Sequence, residues 1–148
     1  MDALPPLGRF EALEHRFALR VYFEDTDLTG VVYHANYLRF MERARSDMLL
    51  AAGIDQRAAQ EAGEGAYAIH GLTIRYRAPA RLGDELAVVS RLVRLRAASV
   101  DIHQRVMRGP VILTEADVEA AFVAPNGRPR RQPAQWQAAF EPLIWKGN

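Results

Sequence analysis

One change of rhythm constrains this chain more than any other feature. Between Tyr37 and Ala52 apolar residues recur at spacings of four, three, four and four, through Tyr37, Met41, Ala44, Met48 and Ala52. That is the stripe of a single amphipathic helix. Asn36 is placed to cap its start, and Gly53 to stop it. From Tyr67 onward the period becomes two. In "YAIHGLTIRYRAPARLGDEL" the residues Ala68, Leu72, Ile74 and Tyr76 are expected on one strand face, with Gly83-Asp84 as a hairpin signal. "ELAVVSRLVRLRA" and "SVDIHQRVMRG" read as further strands, Gly109-Pro110 as a turn, and "VILTEADVEAAFVA" as a fourth strand in this run. The last is rich in alanine and acids, so a helix competes for it. "FALRVYFE", residues 17–24, is an earlier strand, "IDQRAAQEAGEG" a loop or short helix, and "PAQWQAAFEPLIW" a C-terminal helix.

Hairpin-linked strands imply an antiparallel sheet, and one striped helix must bury its stripe against it. The expected class is α+β, a long helix against an antiparallel sheet. Residues 1–16 read as an N-terminal arm and 17–148 as a single domain. Leu86, Val88 and Leu92 are expected on a second, half-apolar sheet face, which implies a homo-oligomer.

Composition removes several classes. The chain has 148 residues, 49% of them hydrophobic, and a net charge of +1, so no bulk field draws it to nucleic acid or a membrane. Lys146 is its only lysine. Arginine suits bidentate phosphate contacts, and a GC-rich genome produces the same bias. Without cysteine there is no disulfide, thiolate metal site or cysteine nucleophile. The start lacks a signal-like apolar run, and no stretch is long and apolar enough to span a bilayer, so a cytoplasmic location is expected. The serines are Ser46, Ser90 and Ser99, none in a nucleophile elbow, and no phosphate-cradling glycine loop is present. His15, His34, His70 and His103 lack metal-ligand spacing, so no metal is expected, and "RLVRLR" lacks the aromatics of a nucleic-acid surface.

The segment "DTDLTGVVYHANYLRFMERAR", residues 25–45, is left to carry chemistry. Two acids and a glycine run directly into the helix start. An aspartate there can be a turn residue. It can also be a carboxylate facing the free N–H groups of a helix N-terminus, an arrangement that suits acyl transfer. His34 offers either its ring or its main-chain N–H.

"RVYFEDTDLTGVVYHANYLRFMERAR" resembles the signature of the 4-hydroxybenzoyl-CoA thioesterase family, most of all the branch associated with the Tol-Pal system of Gram-negative bacteria. The likeness extends loosely through "LTIRYRAPARLGDEL", over about residues 17–125. It implies a hotdog fold, a long central helix wrapped by a curved antiparallel sheet. It also implies hydrolysis of acyl-CoA thioesters at sites between subunits of dimers, often paired into tetramers. Motif matching puts the catalytic carboxylate on Asp27 and the carbonyl-polarising amide on His34, with Tyr33 and Asn36 beside them. Asp25 matches a recurrent structural acid. Leu28-Thr29 departs from the small pair more usual there. No cofactor is implied, since coenzyme A belongs to the substrate; Arg75, Arg77, Arg81, Arg128, Arg130 and Arg131 are candidates for its phosphates. Acyl carrier protein is a further candidate partner. The alternatives are a hotdog hydratase or dehydratase, and a non-catalytic partner of acyl carrier protein or envelope machinery.

Overall fold

The computed structural model describes residues 6–147. Its strands are β1 (Arg9–Glu11), β2 (Glu14–Arg20), β3 (Ala66–Tyr76), β4 (Glu85–Leu95), β5 (Ser99–Arg108) and β6 (Val111–Val123). They form one antiparallel sheet in the order β1-β2-β4-β5-β6-β3. The helices are α1 (Asn36–Ala51), α2 (Gln56–Glu61) and α3 (Ala134–Phe140). Irregularities at Ile69–Gly71, Leu92–Arg94 and Val106–Met107 bend the strands, and α1 lies against the inner face. No helix among the described residues is long and apolar enough to cross a membrane.

The stripe of α1 is buried as its spacing requires: Tyr37, Met41, Ala44 and Met48 are almost fully covered, joined by Phe40 and Leu49. The C-terminus closes in a Schellman motif. Gly53 takes φ +83°, the Gly53 N–H donates to Leu50 O at 3.0 Å and the Ile54 N–H to Leu49 O at 2.9 Å. Ile54 and Leu49 then pack in one cluster. The start is different. Ala35 occupies the cap position without a side-chain acceptor, and Asn36 is already the first helical residue.

β6 settles as a strand despite its alanines and acids. It is paired along its length by β5 on one side and β3 on the other, and Thr114, Ala116, Val118, Ala120 and Phe122 are buried in alternation. Two hydrogen-bond ladders and burial outweigh local propensity.

Four further local expectations change. The region expected as a loose arm contains β1 and the start of β2 from Arg9 onward; residues 1–5 lie outside the described residues. Gly83-Asp84 makes a turn, but β3 and β4 are not neighbours: β3 crosses to the far edge and pairs with β6. A turn dipeptide reverses the chain without choosing the strand's partner. The bulge at Ile69–Gly71 flips the phase of β3, so Tyr67 and Ile69, rather than Ala68, share the inner face with Leu72, Ile74 and Tyr76. Finally, Leu86, Val88 and Leu92 are buried on the inner face, in the clusters that hold the α1 stripe. Exposed apolar residues include Ile69, Leu72 and Tyr76 along β3 and several around the loop after β2.

Polar side chains tie α1 to the sheet between two apolar clusters. Arg45 Nη1 donates to Gln104 Oε1 at 2.9 Å, and Gln104 Nε2 donates to Met41 O and Ser90 Oγ, each at 3.0 Å. Asp47, buried on α1, accepts from the Leu7 and Gly8 amides at 2.6 and 2.8 Å and faces His15 Nε2 at 2.9 Å. The chain can approach this closely only because residue 8 is glycine: a Cβ there would meet Arg16 O at 2.2 Å.

Removing Asp47 orphans these donors, so Asp47→Ala is expected to cost about 2–4 kcal/mol in urea unfolding. His15 is fully buried, and its Nδ1 has no partner among the described residues. Burial holds its pKa below the ordinary 6.5, against the pull of Asp47. The unfolded chain therefore takes up the proton first. The stability contributed by neutral His15 is present above pH 6.5 and is lost as pH falls toward the lower folded value. Unfolding midpoints measured across this range should slope less in His15→Gln.

Candidate active site

The segment after β2 is built by short-range hydrogen bonds. A 3-10 turn, Phe23–Asp25, follows the buried Val21. Asp25 organises what comes next: its carboxylate accepts from the Tyr22 amide at 2.9 Å, and its carbonyl accepts from the Tyr33 amide at 3.0 Å and from Asn36 Nδ2 at 2.9 Å. Asn36 thus staples the loop to the first turn of α1.

Asp27 opens a tight turn. Its N–H donates to Val31 O at 2.9 Å, and the Gly30 N–H donates back to Asp27 O at 3.1 Å. Gly30 sits at φ +82°, a conformation side chains resist. Thr29 donates twice to Asp27 Oδ1, from its N–H at 2.8 Å and from Oγ1 at 2.6 Å. These bonds, the hydroxyl's first, hold the Asp27 carboxyl below its ordinary range, so it is ionised at neutral pH. The carboxylate is exposed to solvent, and Phe23, Leu28 and Tyr33 nearby in the chain are exposed as well.

Val32 anchors the next step by donating its N–H to Ala80 O at 2.8 Å. The chain then enters α1. The N–H groups of His34 and Ala35 have no acceptor among the described residues, at a helix start without a cap. The His34 carbonyl is held by Tyr76 Oη at 3.1 Å. The His34 ring lies between Tyr33 and Tyr76, with centroids 4.6 and 6.0 Å away. Tyr37 Oη accepts from the Ala80 amide at 3.0 Å. A cleft of about 290 Å³ is lined by Val32, His34, Tyr37, Tyr76, Arg77 and Pro79.

The candidate residues are thus only partly brought together in one chain. His34 and Arg77 share the cleft, with the Tyr33 ring tilted against the His34 ring. Asp27 stands on the neighbouring loop and does not line the cleft. Asn36 is engaged with Asp25. Arg77 is paired with Glu115 at 2.9 Å, and Arg75, one position beyond the inward Ile74, leaves the opposite sheet face. Arg130 is spent on the carbonyls of Gly63 and Glu64. Sequence inspection missed Tyr76 and Tyr37 as cleft walls, because at strand and helix period both read as core. It treated Thr29 only as a departure from a pattern. An Asp-x-Thr spacing was the available signal that its hydroxyl could reach Asp27.

A single antiparallel sheet packed on one long helix is a hotdog fold, and the relatives this chain resembles make it a thioester hydrolase. The chain belongs to the thioesterase-like superfamily, whose family model matches residues 21–140. It is 38% identical over 128 residues to an acyl-CoA thioesterase of Haemophilus influenzae, covering 86% of this chain and 94% of that protein. It is 39% identical over 128 residues to an acyl-CoA thioester hydrolase of Escherichia coli, covering 85% and 95%. Among solved structures it is similar to a probable thioesterase from Bartonella henselae, at 36% identity and a TM-score of 0.77, over 81% of this chain and 99% of that one.

Carbon-13 NMR titration should place the Asp27 carboxyl below 3.8, and Thr29→Gly should move it up toward that value as the hydroxyl donor is lost.

Proposed function

We propose that the protein hydrolyses acyl-CoA thioesters, with Asp27 as the catalytic carboxylate and the His34 amide as the oxyanion donor. The observation that carries this is the pair of unengaged N–H groups, on His34 and Ala35, at a helix start adjoining a loop that presents an ionised aspartate. The supporting relatives are named for this activity.

The thioester carbonyl oxygen would lie against the His34 N–H, where the helix dipole adds to the donor. As water or carboxylate adds to the carbonyl carbon, charge grows on that oxygen, and one such donor can be worth about 3 kcal/mol. With Asp27 as base, the carboxylate takes a proton from water while hydroxide bonds to carbon. The carbon–sulfur bond then breaks, and the proton passes to the thiolate. With Asp27 as nucleophile, its carboxylate oxygen bonds to the carbonyl carbon as the carbon–sulfur bond breaks and the thiolate leaves; water then splits the acyl-aspartyl anhydride into the free acid and the Asp27 carboxylate, and the proton released passes to the thiolate. Single turnover in heavy-oxygen water distinguishes the routes: label found first in the enzyme supports the anhydride.

Since Asp27 does not line the cleft of its own His34, the site is best completed by a second chain. β3 offers the means: an 11-residue edge strand with Ile69, Leu72 and Tyr76 half exposed. A homodimer, and a tetramer built from it, belong to this proposal. So do Tyr33 and Asn36 as shaping residues, and Arg77, with Arg75 less well placed, toward the coenzyme A phosphates. A cytoplasmic location, acyl carrier protein as partner and a place with the Tol-Pal branch complete it. The rival is a hydratase using the His34 ring, which is exposed and lies between a tilted Tyr33 and an edge-on Tyr76.

Asp27→Asn should lower kcat on acyl-CoAs by roughly 10²–10⁴-fold with the thermal melt preserved. His34→Ala should lose much less, because its main-chain N–H remains; a loss as deep as that of Asp27→Asn would make the imidazole catalytic. Free thiol released from saturated acyl-CoAs, followed with a thiol reagent, separates hydrolysis from water addition.

A further inference from the structure

The peptide unit between His34 and Ala35 carries two groups that the helix does not use. Its N–H, on Ala35, has no acceptor among the described residues. Its carbonyl, on His34, would take the amide four residues on in an ideal α-helix, yet the Leu38 N–H donates to Ala35 O at 3.2 Å instead. The His34 carbonyl accepts from Tyr76 Oη, at 3.1 Å. Chemistry fixes the direction of that bond, since a carbonyl oxygen can only accept. A tyrosine that lines the cleft thus acts on one end of a peptide whose other end is an open donor.

Tyr76 is held for this contact. It is the last residue of β3, fixed in register opposite Thr114 of β6. Its ring stands edge-on to Tyr37, with centroids 5.7 Å apart, and to His34, at 6.0 Å. Tyr37 is itself buried, and its hydroxyl accepts from the Ala80 amide. The Tyr76 ring is therefore wedged between strand and helix, while part of it stays exposed on the cleft. Ala35 has right-handed helical angles, φ −67° and ψ −22°. Its N–H accordingly points out of the N-terminal end of α1, as the free N–H groups of a first turn do.

We infer that the Ala35 N–H is a second donor to the thioester carbonyl oxygen, and that Tyr76 is the positioning residue that aims and strengthens it. The inference rests on the thioesterase site proposed above, in which the His34 N–H is the first donor. The effect is peptide polarisation. Amide resonance puts negative charge on the oxygen and positive charge on the N–H, and a donor at the oxygen favours that charge-separated form. The hydroxyl on the His34 carbonyl therefore makes the Ala35 N–H a better donor, by roughly 10–30% for one such bond. It also pins the peptide plane, so the Ala35 N–H need not reorient as charge develops on the substrate oxygen. Two donors from consecutive residues then meet one anionic oxygen, as helix N-termini meet anions. Tyr76 touches no reacting atom.

The test is a double-mutant cycle on the full chain, with butyryl-, octanoyl- and benzoyl-CoA as substrates. Tyr76→Phe removes the hydroxyl and keeps the ring. It should lower kcat by roughly two- to fivefold and leave KM within about twofold. Ala35→lactic acid puts an ester where the Ala35 N–H was, and should lower kcat by about 10²-fold. With that ester in place Tyr76→Phe should cost nothing further, because the group it acts through is gone. Isotope-edited infrared spectra give a readout that a mere wall of the cleft would not move. The thioester carbonyl band of octanoyl-CoA bound to Asp27→Asn should lie below its position in water, and Tyr76→Phe should return part of that shift. An unchanged kcat in Tyr76→Phe, a loss carried by KM alone, a full further loss on the ester background or an unmoved band overturns the inference and leaves the thioesterase proposal intact. A loss in Tyr76→Phe as deep as that of Asp27→Asn overturns it too, by making the phenol itself catalytic. No hydrolysis of any of these substrates, or hydrolysis that survives Asp27→Asn, overturns the site proposal and this inference with it.

Discussion

The fold depends on how α1 is registered on the sheet. An apolar stripe on an apolar face supplies most of the attraction, yet it specifies position weakly, because hydrophobic burial has no direction. The polar side chains between the two apolar clusters supply the direction. Arg45 and Gln104 couple the helix to β4 and β5, and Asp47 couples it to the first strand pair through Leu7, Gly8 and His15. Each of these groups is costly to bury unless its partner is in place, so one register satisfies them together. That register carries the start of α1 to Tyr76.

The start of α1 shows what such positioning makes possible. Most helix starts are capped, but this one leaves the His34 and Ala35 amides without acceptors among the described residues. The neighbourhood is otherwise tightly satisfied: Asp25 alone organises three hydrogen bonds. Open donors inside a loop so fully bonded, next to a carboxylate that Thr29 keeps ionised, are a local arrangement suited to binding a carbonyl oxygen.

Much of the architecture was legible from periodicity. The α1 stripe, its Gly53 stop and the long strands all follow from local rules, and the structure reproduces them because local and tertiary preferences agree there. The failures share a cause. The partner of β3, the face of Leu86, Val88 and Leu92, and the phase slip at Ile69–Gly71 depend on which strands pair across long stretches of sequence. Alternation tells that a strand has two faces; it does not tell which one meets the helix.

By itself, the sequence determined the class of fold and the family, because a long motif running into a striped helix needs no tertiary information to be recognised. It also put Asp27 and His34 on one short segment. Tertiary structure alone decided that Asp27 stands outside the cleft of its own His34, that Tyr76 and Arg77 wall that cleft, and that β3 is left as an exposed apolar edge. The physical reason is that these relations join residues some forty positions apart in the chain, and only strand pairing and the packing of α1 bring them within reach of one another.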